Sequence, residues 1–555
     1  MDNDTLLRRF QIVKDQRNSV QAVYDAIEEL VTPYRGRFFR DNTDENSIEW
    51  RQRQIYDSTA VSAHKMLSST MHSGLTSPAI RWFDLRFRDE NLNKLQVAKK
   101  WIQEVSDRVY HELQDSNFNL EITEAYQDLT GFGTSFMTLE PMIPEPLWDG
   151  LRFRSVPLKE AFQETDSEGQ TLYFYRHLKW TATKIVRRFG TKVPDHIMEK
   201  HTKGSKERID VLFVIFPRKS DLQETRAVDK MDRRVKPSRR PFAYRHICMA
   251  SGESLGTEGG YYEMPAFGPR WETTSDSDYG HSPAMVALAD IITLNESRKM
   301  QLQMAEKLID PPILAEENAI FTDLDMRAGG MNTVRDKEGI IAFRSEGSFP
   351  ISDALVNQLQ AAVRNYFMVD QLLFPQPQAQ PMTATEAQIR WEQMNRLLAT
   401  PMGRIQNDLL VPILTRATRM LARSGQLPEA PPEVVEANAE LDFEFIGSIS
   451  RAQRVDRAAS IERLIMTAGN MGEIMPEMLD NIDSNEAIRW IARDLNVPAD
   501  VVRAKRDVEQ KQKARAAQQS AMQAAEAARM VGESQQAMGQ GAQAMEQGGV
   551  NEPPA

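Results

Sequence analysis

Phe374-Pro375-Gln376-Pro377-Gln378-Ala379-Gln380-Pro381 is a stiff, polar tip between two long amphipathic segments. The apolar spacing predicts helices over about Ser352–Leu373 and about Thr383–Arg423. The second would span about 60 Å if continuous. A third helix, about Pro283–Ile309, precedes them across a short Gly-containing stretch. Ordinary globular domains rarely need helices this long joined by such a tip. An assembly that builds a tube from many copies of one chain does need them.

Each helix carries its own signals. Ser282 is the expected N-cap of the 283–309 helix, with Pro283 at the first helical position, and Asp310-Pro311-Pro312 stops it. Leu355, Leu359, Val363, Phe367 and Leu373 fall on or near one face of the next helix. Leu398, Met402, Ile405, Leu409, Ile413, Ala417, Met420 and Leu421 stripe the last. Pro401 and Pro412 lie inside that stripe; each removes a backbone hydrogen bond at a cost of up to about 3 kcal/mol. They kink one long helix or divide it into two or three shorter ones.

Before these helices the chain alternates in character. Leu6, Phe10, Val13, Val20, Val23, Ile27 and Leu30 keep helical spacing, and further helices are expected over about Trp50–His72, a stripe from Ala98 to Leu113, and Phe118–Leu129. Strands are expected over Thr134–Glu140, Leu151–Val156, Thr171–Trp180, Ile209–Phe216 and Phe242–Ala250. The basic stretch Lys230–Arg240 reads as a solvated loop or a nucleic-acid contact, and Glu253–Ser282 as a Gly- and Pro-rich connection. Beyond Arg423, Ser424-Gly425 closes the helix, Pro428–Pro432 is a linker and Leu441–Ile446 a short strand. From Arg451 to about Met530 the pattern is helical again, and the Gly-rich end reads as disordered. The expected fold class is α+β, mainly helical.

Bulk properties narrow the function. The chain has 555 residues, 41% hydrophobic and 26% charged, so several folded regions are expected. The formal net charge is −11, which argues against tight wrapping on nucleic acid but not against nucleic acid sliding past. The one cysteine, Cys248, excludes an intrachain disulfide and reads as a buried small hydrophobe. No secretion signal is expected from Met1-Asp2-Asn3-Asp4, and no apolar run approaches membrane-spanning length, so no membrane partner is expected.

Catalytic patterns are weak. No phosphate loop with Lys-Ser/Thr and no Gly-x-Ser-x-Gly elbow occurs. Gly131-Phe132-Gly133-Thr134 lacks the third glycine of a dinucleotide fingerprint. His64 and His72 share a helix without a third ligand, and the pairs Asp323/Asp325 and Asp276/Asp278 read as acidic turns. No catalytic residue, metal or cofactor is expected. Structure or mechanics fits better than turnover; the rivals are a different structural or scaffold protein, or a metal-dependent nucleic-acid enzyme.

An ordered set of short motifs sharpens this. Glu29-Leu30-Val31-Thr32-Pro33-Tyr34-Arg35-Gly36-Arg37-Phe38 leads to Ile55-Tyr56-Asp57-Ser58-Thr59-Ala60-Val61 and Leu75-Thr76-Ser77-Pro78-Ala79-Ile80-Arg81-Trp82-Phe83. Then come Gly131-Phe132-Gly133-Thr134, Pro269-Arg270-Trp271 and Tyr279-Gly280-His281-Ser282-Pro283-Ala284. In this order, from about Leu6 to Gly425, they resemble the head-to-tail connecting (portal) proteins of short-tailed bacteriophages. The resemblance implies a ring, a dodecamer, at one capsid vertex of the virion, assembled in the host cytoplasm, through which double-stranded DNA is packaged and later ejected. It implies a wing (1–281), a stem helix (282–309), a clip (310–351), a second stem helix (352–373), a channel loop (374–382), a long kinked helix returning to the wing (383–450), a helical crown (451–530) and a tail (531–555). Implied partners are the large terminase subunit, a tail adaptor, capsid and scaffold proteins, and internal core proteins on the crown. In that frame Pro375, Gln376, Pro377, Gln378 and Gln380 face DNA, the glutamines offering neutral hydrogen bonds to phosphates, or else form a plain connector. Arg390, Arg396 and Arg404 line the bore or form intersubunit salt bridges.

Overall fold

The computed structural model describes residues 1–33, 54–143, 147–218, 235–273, 277–309, 313–315, 340–342, 349–369, 400–437, 440–446, 457–468, 483–494, 501 and most of 508–522. The Pro/Gln tip, Arg390, Arg396, nearly all of 310–348, residues 219–234 and the last residues from 523 lie outside them. The chain divides into two compact units. The larger comprises Met1–Arg86, Gln103–Glu429 and Leu441–Ile449.

It opens with α1 (Asn3–Asn18), α2 (Gln21–Leu30) and α3 (Thr59–Leu75). The third of these starts later than its apolar pattern implied: Asp57 takes the Thr59 N–H at 2.8 Å, and 54–58 are not helical. Strand β1 (Phe83–Phe87), α4 (Glu90–Lys94), α5 (Gln96–Asp115) and α6 (Phe118–Phe132) follow. Then come β2 (Phe136–Pro141), β3 (Leu151–Val156), β4 (Ala161–Thr165), β5 (Thr171–Thr181), α7 (Ala182–Phe189), α8 (Asp195–Thr202), β6 (Arg208–Pro217), β7 (Phe242–Cys248) and β8 (Ser254–Tyr261).

Strands β4 to β8 form an antiparallel meander in sequence order. Alternation decides its two faces. Tyr173, Tyr175, Leu212, Val214, Ala243 and Ile247 pack under Leu6, Phe10 and Val13 of α1. Phe10 meets Phe162 edge-on at 5.1 Å. On the opposite face Ile185 and Ile197 of α7 and α8 close over Leu178, Trp180, Val211 and Cys248. Cys248 is fully buried there, the small hydrophobe its strand context predicted.

Strand β8 was not visible in the sequence because Gly256, Gly259 and Gly260 look like loop residues. Packing explains them: a Cβ on Gly259 would fall 2.2 Å from the Tyr244 ring, so only glycine lets the edge strand lie under it. A second sheet, ordered β3-β2-β9, adds β9 (Ala266–Phe267). Short β10 (Glu272–Thr273) pairs with β11 (Gly280–His281).

The helical part follows: α9 (Pro283–Ile309), β12 (Ile313–Ala315), β13 (Ile340–Ala342) and α10 (Phe349–Tyr366). The expected helix to Leu373 is interrupted after Tyr366, where Met368 takes a positive φ of 58°; residues 370–373 lie outside the described residues. Residues 400–405 are helical, 406–410 form a π-turn, and α11 (Val411–Arg423) completes the run. Of the 383–423 helix, only this part falls within the described residues. Strand β14 (Leu441–Phe445) pairs with β1.

The smaller unit holds α4, α12 (Pro432–Glu436), a helix at 457–468 and α13 (Ser484–Asp494). Within it Phe87 stacks on Trp101 at 6.0 Å, and Arg88 pairs with Glu440 at 2.6 Å. The molecule is α+β with antiparallel sheets.

Candidate assembly site: the root and faces of the long helices

The root of α9 is built from three distant stretches. Gly133 ends α6 at φ +76°, a left-handed value that glycine tolerates. A Cβ here would fall 2.3 Å from the Gly280 carbonyl oxygen, and one on Gly280 would fall 2.3 Å from that of Gly133. Two backbones therefore touch where a side chain on either would force them apart. The Gly280 N–H donates to Thr134 Oγ1 at 2.8 Å, the Trp271 N–H donates to the Gly133 carbonyl at 2.8 Å, and Thr134 bridges to Arg270. Ser282 completes the junction. Its Oγ accepts the Met285 N–H at 3.1 Å and donates to the Gly131 carbonyl at 2.7 Å. Ser282 is thus the cap that the sequence predicted, and Pro283 sits where a missing N–H does no harm.

Arg17, only 5% exposed, braces the neighbouring turn. It donates to the carbonyls of Leu158, Lys159 and Ala161 and lies 3.6 Å over the Phe162 ring. Burial pulls its pKa down, opposed by the nearby Tyr279 and Tyr24; burial also pushes the Tyr279 hydroxyl up to about 12.

Above the root, α9 and α10 pack together and against α3, α2 and α6. Ala284, Ala287, Ile291 and Leu294 of α9 are buried, as are Val356 and Val363 of α10 and Phe367 beyond it. Gln301 donates to Asp353 at 3.1 Å and Gln360 to Asp57 at 2.7 Å. Asn295 accepts the Tyr56 N–H at 2.8 Å and donates to the Gln54 carbonyl at 3.0 Å. Val363 and Phe367 are buried as expected, but the stripe differs at its start: Leu355 is exposed and Leu359 only half-buried, while Val356 is buried.

The other faces are unfinished. Val286, Ile292, Met300, Leu302 and Ile309 of α9 are exposed, Met300 at 64% and Ile309 at 85%, and so are Leu355 and Tyr366 of α10. Large apolar side chains along a helix pair mark a surface meant for contact.

The 400–423 run is held differently. Pro412 has no N–H for the Asp408 carbonyl, and its ring would crowd that group in a regular helix. The π-turn Gln406–Leu410 absorbs the conflict, with the Val411 N–H reaching back to Gln406. Pro401 lies near the start of the described part, and Arg404 donates to the Trp271 carbonyl at 3.3 Å, tying this run to the α9 root. Leu409 is fully buried within the chain, so it serves the chain's own core. Arg416 and Arg423, 3% and 8% exposed, both close on Glu263. Arg416 also donates to the carbonyls of Leu139 and Glu263, at 3.1 and 2.8 Å. Spacing alone showed only an apolar stripe here; two arginines seven apart on one helical face were the available signal.

The catalytic suspects have structural surroundings. His64 is buried and 2.9 Å from the Gln127 carbonyl, and His72 faces Thr76 at 3.1 Å. Asp278 accepts the Thr165 hydroxyl. Asp276, Asp323 and Asp325 fall outside the described residues. Among the described residues, no group of three or more His, Cys, Asp or Glu is placed to hold a metal ion, and no helix is long and apolar enough to cross a membrane.

Comparison with known proteins follows the same line as the geometry. Residues 3–502 match the family model for bacteriophage head to tail connecting protein. The chain is 26% identical over 523 residues to a protein named "Probable portal protein" of Bordetella phage BPP-1, covering 92% of this chain and 91% of that one. It is also 26% identical over 534 residues to the "Portal protein" of Salmonella phage epsilon15, covering 93% and 92%. The motifs Gly131–Thr134, Pro269–Trp271 and Tyr279–Pro283, far apart in sequence, meet at one backbone junction, and the match extends across it in both directions: the chain belongs to the bacteriophage head to tail connecting protein family.

Proposed function

We propose that this chain is the subunit of a phage portal, a ring at one capsid vertex through which double-stranded DNA enters and leaves the head. The observation that carries the reading is the family match along residues 3–502, reaching well past the helix pair on both sides. The helix pair supports it. One face of α9 and α10 is buried in the chain and the others expose Val286, Met300, Ile309 and Leu355. Identical copies standing side by side around a closed symmetry axis cover such surfaces without leaving a free edge.

In this reading α9 and α10 are the stem, the residues between them the clip, Pro375–Gln380 the channel loop, residues 1–281 the wing and residues 451–530 the crown. The clip meets the large terminase subunit during packaging and a tail adaptor afterwards. The wing and crown meet capsid, scaffold and internal core proteins. A formal charge of −11 per chain makes a dodecamer strongly anionic, so the channel repels duplex DNA and lets it slide on weak contacts. Gln376, Gln378 and Gln380 supply such contacts without adding charge. The role is structural and mechanical.

Negative-stain images of purified protein, with a mass measurement of the intact particle, test this. Annular particles with a central hole are expected. Rods, or a single-chain mass under every assembly condition, would overturn the reading. Deleting Gln376–Gln380 is expected to leave rings intact and to lower DNA packaging or retention; loss of rings would remove the loop from the channel.

A further inference from the structure

The sequence-distant arginines of the β-rich part converge on a feature that the channel reading leaves unused. A cavity of about 350 Å³ lies between β3 on one side and α7 on the other, over the sheet face opposite α1. Its floor is apolar: Phe174, Leu178 and Trp180 of β5, with Phe213 and Ile215 of β6. Its walls are cationic. Arg152 and Arg154 stand two positions apart on β3, on the face that alternation turns outward. Lys184 and Arg188 stand one turn apart on α7, 5.1 and 5.4 Å from the Trp180 ring. Arg176 rises between the two rows.

Five cations thus line one cavity with a single carboxylate, Glu140, in a chain whose net charge is −11. The carboxylates offset them only in part: Glu160 pairs with Arg176 at 2.8 Å, and Glu140, which accepts the Tyr261 hydroxyl at 2.7 Å, acts with Glu121 on Arg154. Among the described residues, Arg152, Arg154, Lys184 and Arg188 have no ion-pair partner. The crowding registers on its neighbours. His246, in the cavity wall, is pushed down to about 3 by burial and then by Arg188 and Arg176. Arg154 is pulled down by burial and then by Arg176 and Arg152, against the opposing pull of Glu140 and Glu121. The excess of like charge that remains opposes folding, so an anionic occupant would relieve it.

We propose that this cavity grips the phosphodiester backbone of a nucleic-acid strand, as a sequence-independent contact separate from the α9–α10 helix pair. Two opposed rows of cations suit a linear polyanion that carries one charge per unit. An acidic protein segment would have to bring several carboxylates into the same small volume. Four of the five cations are arginines, whose planar forks match two phosphate oxygens at once. The volume admits a backbone and not a duplex, so one strand of a duplex docks at the rim by its phosphates. No Asn or Gln lines the cavity to read base edges.

The test uses the full chain and short fluorescent duplex and single-stranded oligonucleotides, with anisotropy followed across a salt series. The variant R152Q/R154Q/K184Q/R188Q is compared with a control variant, K65Q/K94Q/K192Q/K206Q, which removes the same number of exposed cations outside the cavity. The cavity variant is expected to flatten the slope of log affinity against log salt by about 3 to 4 with duplex, near 0.9 per cation, and by somewhat less with single strand. The control set is expected to leave the slope nearly unchanged. Equal losses in both sets, no DNA binding by the unaltered chain, or displacement of DNA by polyglutamate at equal charge concentration would overturn the proposal, the last pointing to an acidic protein segment. If the fourfold variant fails to fold, K184Q/R188Q alone is expected to lower the slope by about half as much. Rings are imaged for the same variants, so loss of DNA binding with intact annuli is read separately from failure of the portal reading.

Discussion

The five-stranded sheet and the α9–α10 pair are built from similar apolar residues and finish differently. Under α1, Phe10, Phe162, Tyr175 and Val214 are all buried, so folding completes that surface. Along α9, Met300 and Ile309 remain exposed although the helix is anchored at its root by Ser282 and its neighbours. The difference teaches where stability and assembly reside. The first region stabilises a single chain, and in the proposed ring the second would acquire its cover from other chains. Variants in the two should therefore separate thermodynamic stability from ring formation.

The largest effect on chain stability is expected at Glu263. Replacing it by Ala strands Arg416 and Arg423, both nearly inaccessible, with a buried charge that has lost its carboxylate. Breaking such a cluster costs about 3–5 kcal/mol. Denaturant unfolding of the unassembled chain measures this; a loss below about 1 kcal/mol would show that these guanidiniums are solvated.

Acid should act next. His246 has a folded pKa near 3 against an ordinary value of 6.5, held down by burial among aromatic rings and by Arg188 and Arg176. The unfolded chain therefore binds the extra proton between those values. Stability from a neutral His246 is fully present above about 6.5 and is lost as pH falls toward 3, at up to about 1.4 kcal/mol per pH unit. His246→Gln should flatten that part of a stability-against-pH curve; an unchanged slope would place the titration elsewhere.

Ser282→Ala is expected to cost about 1–2 kcal/mol. It removes the cap on Met285 and leaves the buried Gly131 carbonyl without its hydroxyl donor. Thermal unfolding reads the loss, and Ser282→Thr should recover part of it.

What the sequence revealed and concealed follows from where each signal resides. Period and capping are local, so the bounds of α9, strand β3 and the Ser282 cap could be read directly. The exit of α10 at Tyr366 depends on one residue, Met368, taking a left-handed φ that no pattern announces. Strand β8 reads as a loop until Tyr244 is seen lying on Gly259. The α10 stripe was right at Val363 and Phe367 and wrong one turn and more earlier, where Val356 is buried in place of Leu355, because neighbouring apolar residues share that turn and periodicity alone cannot choose between them. The Glu263 cluster and the cationic cavity draw on residues from separate elements, and only the fold brings them together.

The smallest effect on the chain, and the sharpest test of the contrast, is expected from V286E/M300E. Both side chains project from α9 into solvent in the single chain, so charging them should change its stability by no more than about 0.5 kcal/mol. In a ring the same positions would bury carboxylates against a neighbour, where unpaired charge is costly. Size-exclusion with mass detection should then show a folded chain that no longer assembles, with the same circular dichroism and unfolding midpoint as the parent. Intact rings from this variant would move the intersubunit contact off this face of α9, toward Leu302, Ile309 or the exposed side of α10. A chain that unfolds early would mean that α9 is already covered by its own polypeptide, and the two regions would then differ in sequence alone.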